Sequence, residues 1–373
     1  MSEASTHSGG LKRSLLSVTF GLVAAGILIQ LSGYNALAAY GALWTGATGL
    51  QAGPAMGPAD ITIGTGHLDL FQLAQSLATI TPLLLCGLAV AVGLRAGLFN
   101  IGAQGQMTVG ALAAASVGLI GSSVHGALPA LIHVPLTIAA GAVVGAAWGG
   151  LAGLLKAWRG VHEVISTIML NFIGIDLATY LVSHNLRDPH SQNLQTTTIA
   201  PSALLSPMVA HSNLTVGLFL AIAAAIGMNY LISRTSAGFM VRAVGNNPEA
   251  AEANGISTGR TLIFTMALSG GLAGIAGALE VMGVHHRYVD GLAGSYGFDG
   301  IAVALLAGLS GGGAILSAIF FGLLASGSDS MQATISVPAP VAVVVQAIVI
   351  IFVGVRYLPF LRKREIPLPT PPG

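Results

Sequence analysis

SRTSAGFMVRAVGNNPEAAEANGISTGR, residues 233–260, is the long polar stretch around which the 373-residue chain is organised, since only 7% of all residues are charged and several positive ones gather here. Within it Asn247 suits a helix N-cap and Pro248 the first helical position. Glu249 falls in the first turn, where the helix dipole favours an anion, and Gly255 is a natural terminator. These signals predict a short helix from Pro248 to Asn254, about 10 Å long. Long apolar spans flank the stretch, so the helix rests at a membrane surface with its polar side toward water or a partner. Arg234, Arg242 and Arg260 put that surface on the cytoplasmic side. A capped loop helix that merely closes a turn reads from the same residues, and the local signals alone favour it, since short capped helices are common between elements.

Hydrophobic residues make up 54% of the chain, glycine occurs 51 times, and the mean hydropathy is +0.81. Soluble domains carry about a quarter charged residues, so the expected fold is an all-α polytopic membrane protein embedded in a lipid bilayer. A net charge of +1 without a large basic patch excludes nucleic acid as an electrostatic partner. The single cysteine, Cys86, lies in an apolar run, which excludes an intramolecular disulfide and a cysteine zinc cluster.

Hydropathy predicts about ten transmembrane helices, each near the roughly 20 residues that a 30 Å hydrocarbon core requires. They run from Leu15 to Leu31, Phe71 to Gly93, Ile101 to Ile120, Ala130 to Leu155 and Val164 to Val182. The others run from Leu214 to Ile232, Leu262 to Val284, Ile301 to Leu309, Ala314 to Ser330 and Val341 to Val355. Residues 14–356 then form the membrane domain between tails at 1–13 and 357–373. An external segment at 34–70 follows the first span, with Tyr34 to Trp44 along the interface. Lys12 and Arg13 precede a run that is long for a signal peptide and lacks a convincing cleavage site, so it reads as a retained span.

An even number of crossings puts both termini in the cytoplasm, and the charges agree. Lys12, Arg13, Arg95, Lys156, Arg159, Arg234, Arg242, Arg260, Arg356, Arg362, Lys363 and Arg364 fall inside, leaving only Arg187 and Arg287 outside. Gly141, Gly145, Gly149 and Gly153 recur every four residues, as do Gly270 with Gly274 and Gly308 with Gly312. That spacing predicts close helix packing, because lipid offers no hydrophobic drive for helices to associate.

Two stretches read as broken helices, LRAGLFNIGAQGQM at 94–107 and GSYGFDGIAVA at 294–304. In each, an aromatic residue precedes an amide or acid that can cap a new helix, Phe99-Asn100 and Phe298-Asp299. Discontinuous helices at matching points of an inverted repeat point to a transport path; ordinary capped helix starts at the membrane surface fit equally well. Gln104 and Asn171 are further polar side chains in apolar surroundings. Asn171 is suited to a sugar hydroxyl or a base edge, or to bridging two helices.

Gly97-Leu98-Phe99-Asn100-Ile101-Gly102-Ala103-Gln104-Gly105-Gln106 is similar to the GLFNIGAEGQ signature of the simple-sugar and nucleoside branch of ABC importer permeases. Gln104 stands where many members carry Glu, which removes a charge. The runs VHEVISTIMLN at 161–171, GFMVRAVGNNPEAA at 238–251 and GFDGIAVALL at 297–306 resemble the same family, and the similarity runs from about Tyr34 to Arg356. Branched-chain amino acid permeases resemble it more distantly.

The resemblance implies that residues 233–260 form a coupling loop docking on a separate ATPase subunit through Arg242, Asn246, Asn247, Pro248, Glu249, Ala250, Ala251 and Gly255. It implies ATP and Mg on that partner and no cofactor in this chain. It further implies an extracytoplasmic binding protein, lipoprotein or periplasmic, and a second permease subunit in a homo- or heterodimer in the cell inner membrane. The path would lie near Phe99, Asn100, Gln104, Asn171, Phe298 and Asp299. No catalytic residue is expected.

Three rival chemistries read less well. His285, His286 and Asp290 raise a metal site, yet adjacent histidines on an extended loop point apart. Gly308-Leu309-Ser310-Gly311 matches an intramembrane serine protease pattern, but no histidine follows His286 to serve as its base. An ion-coupled secondary carrier requires deep carboxylates, for which Asp176 and Asp329 are the candidates. The sequence G-x-x-x-x-G-K-[ST] does not occur, so an energised transporter of this kind takes its ATPase from elsewhere.

Overall fold

Apolar runs of this length become helices because backbone N–H and C=O groups in hydrocarbon find partners only within their own segment. The computed structural model describes residues 19–52, 60–63, 66–121, 128–338, 343–344, 347–348 and 351. It opens with α1 (Thr19–Leu31) and α2 (Ala36–Thr48), then three short strands, β1 (Leu50–Ala52), β2 (Ile61–Ile63) and β3 (Gly66–Leu68). The helices α3 (Leu70–Arg95), α4 (Ala103–Gly118), α5 (Ala130–Arg159), α6 (Glu163–Leu181) and α7 (Gly217–Arg234) follow. After them come α8 (Ser236–Asn246), α9 (Pro248–Ala253), α10 (Thr258–Glu280), α11 (Tyr296–Leu306) and α12 (Gly311–Ile335). Both α6 and α10 continue into a wider π turn, Val182–Leu186 and Val281–His285.

Among the described residues, six helices are long and apolar enough to cross a membrane: α3, α5, α6, α7, α10 and α12. Thr19–Leu31 and Tyr296–Leu306 are apolar but shorter. The expected third crossing, Ile101 to Ile120, is the 16-residue α4, buried among other helices with Gln104, Gln106 and Thr108 in its first turns. The expected eighth crossing starts at Tyr296 rather than Ile301. Ser295 takes the N-cap position, which leaves Asp299 inside the first turns instead of capping the helix. The tenth, Val341 to Val355, and the tails at 1–13 and 357–373 lie wholly or mostly outside the described residues.

The centre of the bundle is α3, buried almost without interruption from Ile80 to Gly93. Around it pack α10, α11 and α12, with α4 and α5 on the far side of α10. Where α5 meets α10, the two backbones touch: Gly145 and Gly149 on one helix face Gly270 and Gly274 on the other with no room for a Cβ. Gly110 of α4 closes on Gly274 in the same way. The pair Gly308 and Gly312 does not pack so. Gly308 turns the chain between α11 and α12 at φ +61, and a Cβ on either glycine would meet open space.

The outward faces are apolar, carrying Val143 on α5, Ile165 and Phe172 on α6, and Phe219 and Ile226 on α7, all exposed. Lipid, not water, suits such faces. The segment expected along the interface is the helix α2, which buries Ala39, Gly46 and Ala47. It packs on α12, where Gly46 abuts Ser330 and Gly327 abuts Leu43. Asn35 caps it by accepting from Leu37 and Ala38. The strands that follow form an antiparallel sheet in the order β1-β3-β2.

At the end bearing this sheet, the loop after α6 is stitched to the loop after α10. The Thr196 N–H donates to the Tyr288 carbonyl at 2.9 Å, Ile199 to His286 at 2.9 Å and Leu205 to Met282 at 3.0 Å. In that loop, burial first and Arg287 second hold the His286 imidazole below its usual pKa.

Candidate coupling surface, interior network and cavity

At the opposite end lies a two-helix unit. Thr235 caps α8, its hydroxyl accepting the Gly238 N–H at 3.1 Å. One face of α8 buries Gly238, Val241 and Val244. Asn247 then breaks the helix and caps the next, its Oδ1 accepting the Ala250 N–H at 3.0 Å. Pro248 and Glu249 occupy the first turn of α9, Asn254 is its C-cap, and Gly255 turns the chain at φ +80. The helix thus forms where the capping signals put it, ending one residue before Asn254. Only Ala251 of α9 is buried; Asn246, Asn247, Pro248, Glu249 and Ala250 are exposed, and Arg242 is half-buried.

The joint between this unit and the bundle is a backbone contact. Gly245, near the end of α8, sits against the Arg95 carbonyl at the end of α3 with no space for a Cβ. The Arg95 side chain reaches on to the turn between α11 and α12. Its Nε and Nη2 donate to the Leu309 carbonyl at 3.0 and 2.8 Å. Three elements therefore converge on Arg95: α8 on its main chain, α3 through its own helix, and the α11–α12 turn on its guanidinium.

Directly after Arg95 the chain bends into the interior, and its polar side chains find partners there. Asn100 Nδ2 donates to Gln106 Oε1 at 2.9 Å and to the Ser269 hydroxyl of α10 at 2.7 Å, while its Oδ1 accepts the Gly102 N–H at 2.8 Å. Asn171 of α6 accepts the Gly105 N–H at 2.7 Å and donates to the Ile101 carbonyl at 2.8 Å. Gln104 donates to the Gly294 carbonyl at 2.7 Å and accepts the Gly297 N–H at 2.9 Å. The start of α4 is thereby tied to α10, α6 and α11. Phe298 is exposed at the start of α11, and Asp299 accepts the Ser295 hydroxyl at 2.6 Å.

Sequence reasoning singled out these six side chains but not the space beside them. A cavity of about 550 Å³ opens between α3, α10, α11 and α12 at the end away from α8 and α9. None of Phe99, Asn100, Gln104, Asn171, Phe298 and Asp299 lines it. Its walls carry Gln72, Gln75, Asn213, Glu280, Tyr296 and Asp329, among others. The signal available in the sequence was the pair of carboxylates within apolar runs; what they share appears only in three dimensions. Among the described residues, no group of three His, Cys, Asp or Glu is placed to hold a metal ion.

Long apolar helices with lipid-suited outer faces and a capped polar unit at one end make this a multi-pass membrane bundle. The chain belongs to the family described as branched-chain amino acid transport system / permease component, which it matches over residues 72–354. It is 36% identical over 346 residues to the guanosine ABC transporter permease protein NupP of Bacillus subtilis (strain 168), covering 92% of each chain. It is 32% identical to the nucleoside ABC transporter permease protein NupB of Lactococcus lactis subsp. cremoris (strain MG1363), over 92% of this chain and 90% of that one. Similarity at 32% identity also extends to the glucose ABC transporter permease protein TsgB13 of Haloferax volcanii, over 76% of each chain.

Proposed function

We propose that this chain is the membrane-spanning subunit of an ABC importer that passes a nucleoside or simple sugar inward. An external binding protein delivers the solute to the end carrying the stitched loops. Separate ATPase subunits, which hold ATP and Mg, act on α8 and α9. Ten crossings arranged as an inverted repeat, with both termini in the cytoplasm of a cell inner membrane, complete this reading. Its supports are the relatives' transported solutes and the described cations. Arg95, Lys156, Arg159, Arg234, Arg242 and Arg260 lie on elements at the α8–α9 end, Arg187 and Arg287 in the loops at the other.

The observation that carries the reading is the joint at Gly245 and Arg95. Force on the exposed residues Asn246 to Ala250 passes through α8 into the end of α3 by direct backbone contact, and on to the turn after α11 through the Arg95 guanidinium. From there Asn100, Gln104 and Asn171 hand displacement to α10, α11 and α6. These amides, with Phe99, Phe298 and Asp299, frame the path.

A second permease subunit is part of the proposal for a separate reason. Asp176 is exposed on the face of α6 that also presents Phe172, Ile173 and Leu177. A carboxylate facing acyl chains at that depth is costly, and a neighbouring subunit with polar groups covers it.

Replacing Arg242 and Glu249 together with Ala tests the coupling role. Uptake and stimulated ATP hydrolysis are expected to be lost, with membrane insertion and solute capture by the binding protein intact. Uptake at the native rate in that variant overturns the assignment.

A further inference from the structure

We propose that the cavity between α3, α10, α11 and α12 is a solute-binding site for an uncharged, hydroxyl-rich molecule of nucleoside size, with Glu280 and Asp329 accepting its O–H and N–H donors. The proposal rests on the importer reading above and assigns it a recognition site. A volume of about 550 Å³ falls within the range of small-molecule sites, roughly 300–1,000 Å³.

The hydrogen-bond inventory of the walls is partly fixed and partly open. Gln72 Nε2 donates to the Gly46 carbonyl at 2.6 Å, and Gln75 Oε1 accepts the Asn213 N–H at 2.9 Å. The Ser76 and Ser326 hydroxyls meet at 2.8 Å. These contacts hold the side chains in one orientation while leaving the Gln75 amide N–H groups free to donate into the cavity. The Asp329 side chain makes no hydrogen bond or ion pair among the described residues. Glu280 is only 5% exposed, lines the cavity, and lies 3.7 Å from the His285 Nε2, an ion pair only when that imidazole is protonated. Its position is also distinctive, because α10 gives way to the π turn at the next residue. Such widened turns re-aim side chains and recur at functional sites.

Two carboxyl groups set among amide and hydroxyl side chains suit a solute carrying several hydrogen-bonding groups, such as ribose hydroxyls or the N–H edge of a purine. Phe71 and Tyr296 line the same space and offer ring faces on which a base or a sugar can lie. No Lys or Arg is among the lining residues. A nucleotide phosphate or an amino-acid carboxylate would thus meet two carboxyl groups and no Lys or Arg to balance its charge. The cavity accordingly favours nucleosides and neutral sugars over nucleotides and amino acids.

The test uses the assembled importer, with its ATPases, second permease and binding protein, in membrane vesicles supplied with tritiated guanosine. Glu280→Gln and Asp329→Asn are each expected to lower maximal uptake at least tenfold while assembly and guanosine capture by the binding protein are unchanged. Asp329 is exposed, so its variant guards against misfolding at the buried Glu280. Independently, Ser330→Cys in a Cys86→Ala background is expected to react with an impermeant maleimide and to be protected by guanosine, but not by guanosine monophosphate or leucine.

Native uptake in both carboxylate variants, or labelling that guanosine leaves unaltered, overturns the cavity assignment alone. Uptake of glucose in place of guanosine, with the same losses in both variants, supports it. Uptake of leucine with neither guanosine nor glucose overturns the importer reading and this one together.

Discussion

Gly245 rests on the main-chain carbonyl of Arg95 so closely that no side chain fits between them. A methyl group there must push α8 off the end of α3, and overpacking of this kind costs about 1–3 kcal/mol. Gly245→Ala is therefore expected to keep the bundle inserted yet reduce solute-stimulated ATP hydrolysis by about tenfold or more, since each 1.4 kcal/mol in a barrier is a factor of ten. Wild-type stimulation in this variant would show that the contact transmits nothing.

Arg95 can be separated from its main chain by mutation. Arg95→Ala removes both donors from the Leu309 carbonyl, and hydrogen bonds to charged groups contribute about 1.5–3 kcal/mol each. The thermal midpoint in detergent should fall, and Leu309, held at φ +63, should become more accessible to protease. Arg95→Lys keeps the charge but loses the forked geometry, so an intermediate midpoint is expected.

Asn171 distinguishes framing of the path from contact with solute. Asn171→Leu fills a similar volume but leaves the Gly105 N–H and the Ile101 carbonyl without partners, at a cost of about 1–3 kcal/mol. A lower thermal midpoint with unchanged preference among guanosine, cytidine and glucose is the expected result. A changed preference at unchanged stability would instead place this amide against the solute.

The glycines divide into two groups. Gly274→Ala puts a methyl against the Gly141 carbonyl and should sharply reduce the folded yield, whereas Gly312→Ala meets open space and should be tolerated. Fluorescence-detected size-exclusion of the two variants makes the comparison directly.

Asp176 gives a reporter for the covering subunit. With Cys86 buried and the chain's single cysteine, Asp176→Cys carrying a benzophenone maleimide is expected to cross-link to a second permease chain on illumination. Labelling by a lipid-soluble reagent instead, without any cross-link, would place this face against acyl chains.

How much of this is legible in the sequence depends on the range over which each feature is decided. The helix at Pro248 is local chemistry, and Asn247, Pro248 and Gly255 mark its ends within a residue. The helix before it is less visible, because Gly238 and Gly245 lower helix propensity and both are needed for close approach to α7 and α3. Amides such as Asn100 and Asn171 stand out in apolar runs, yet the choice between facing a path and facing one another is made by where α4, α6 and α10 meet. The cavity gathers residues from Gln51 to Thr334, a set that no local pattern joins.

The glycine seam between α5 and α10 limits how such a bundle can alternate. Two rods in contact along their spines, with no side chains to roll over one another, behave as a single beam. Opening first one mouth and then the other must therefore swing lighter parts around that beam rather than bend it.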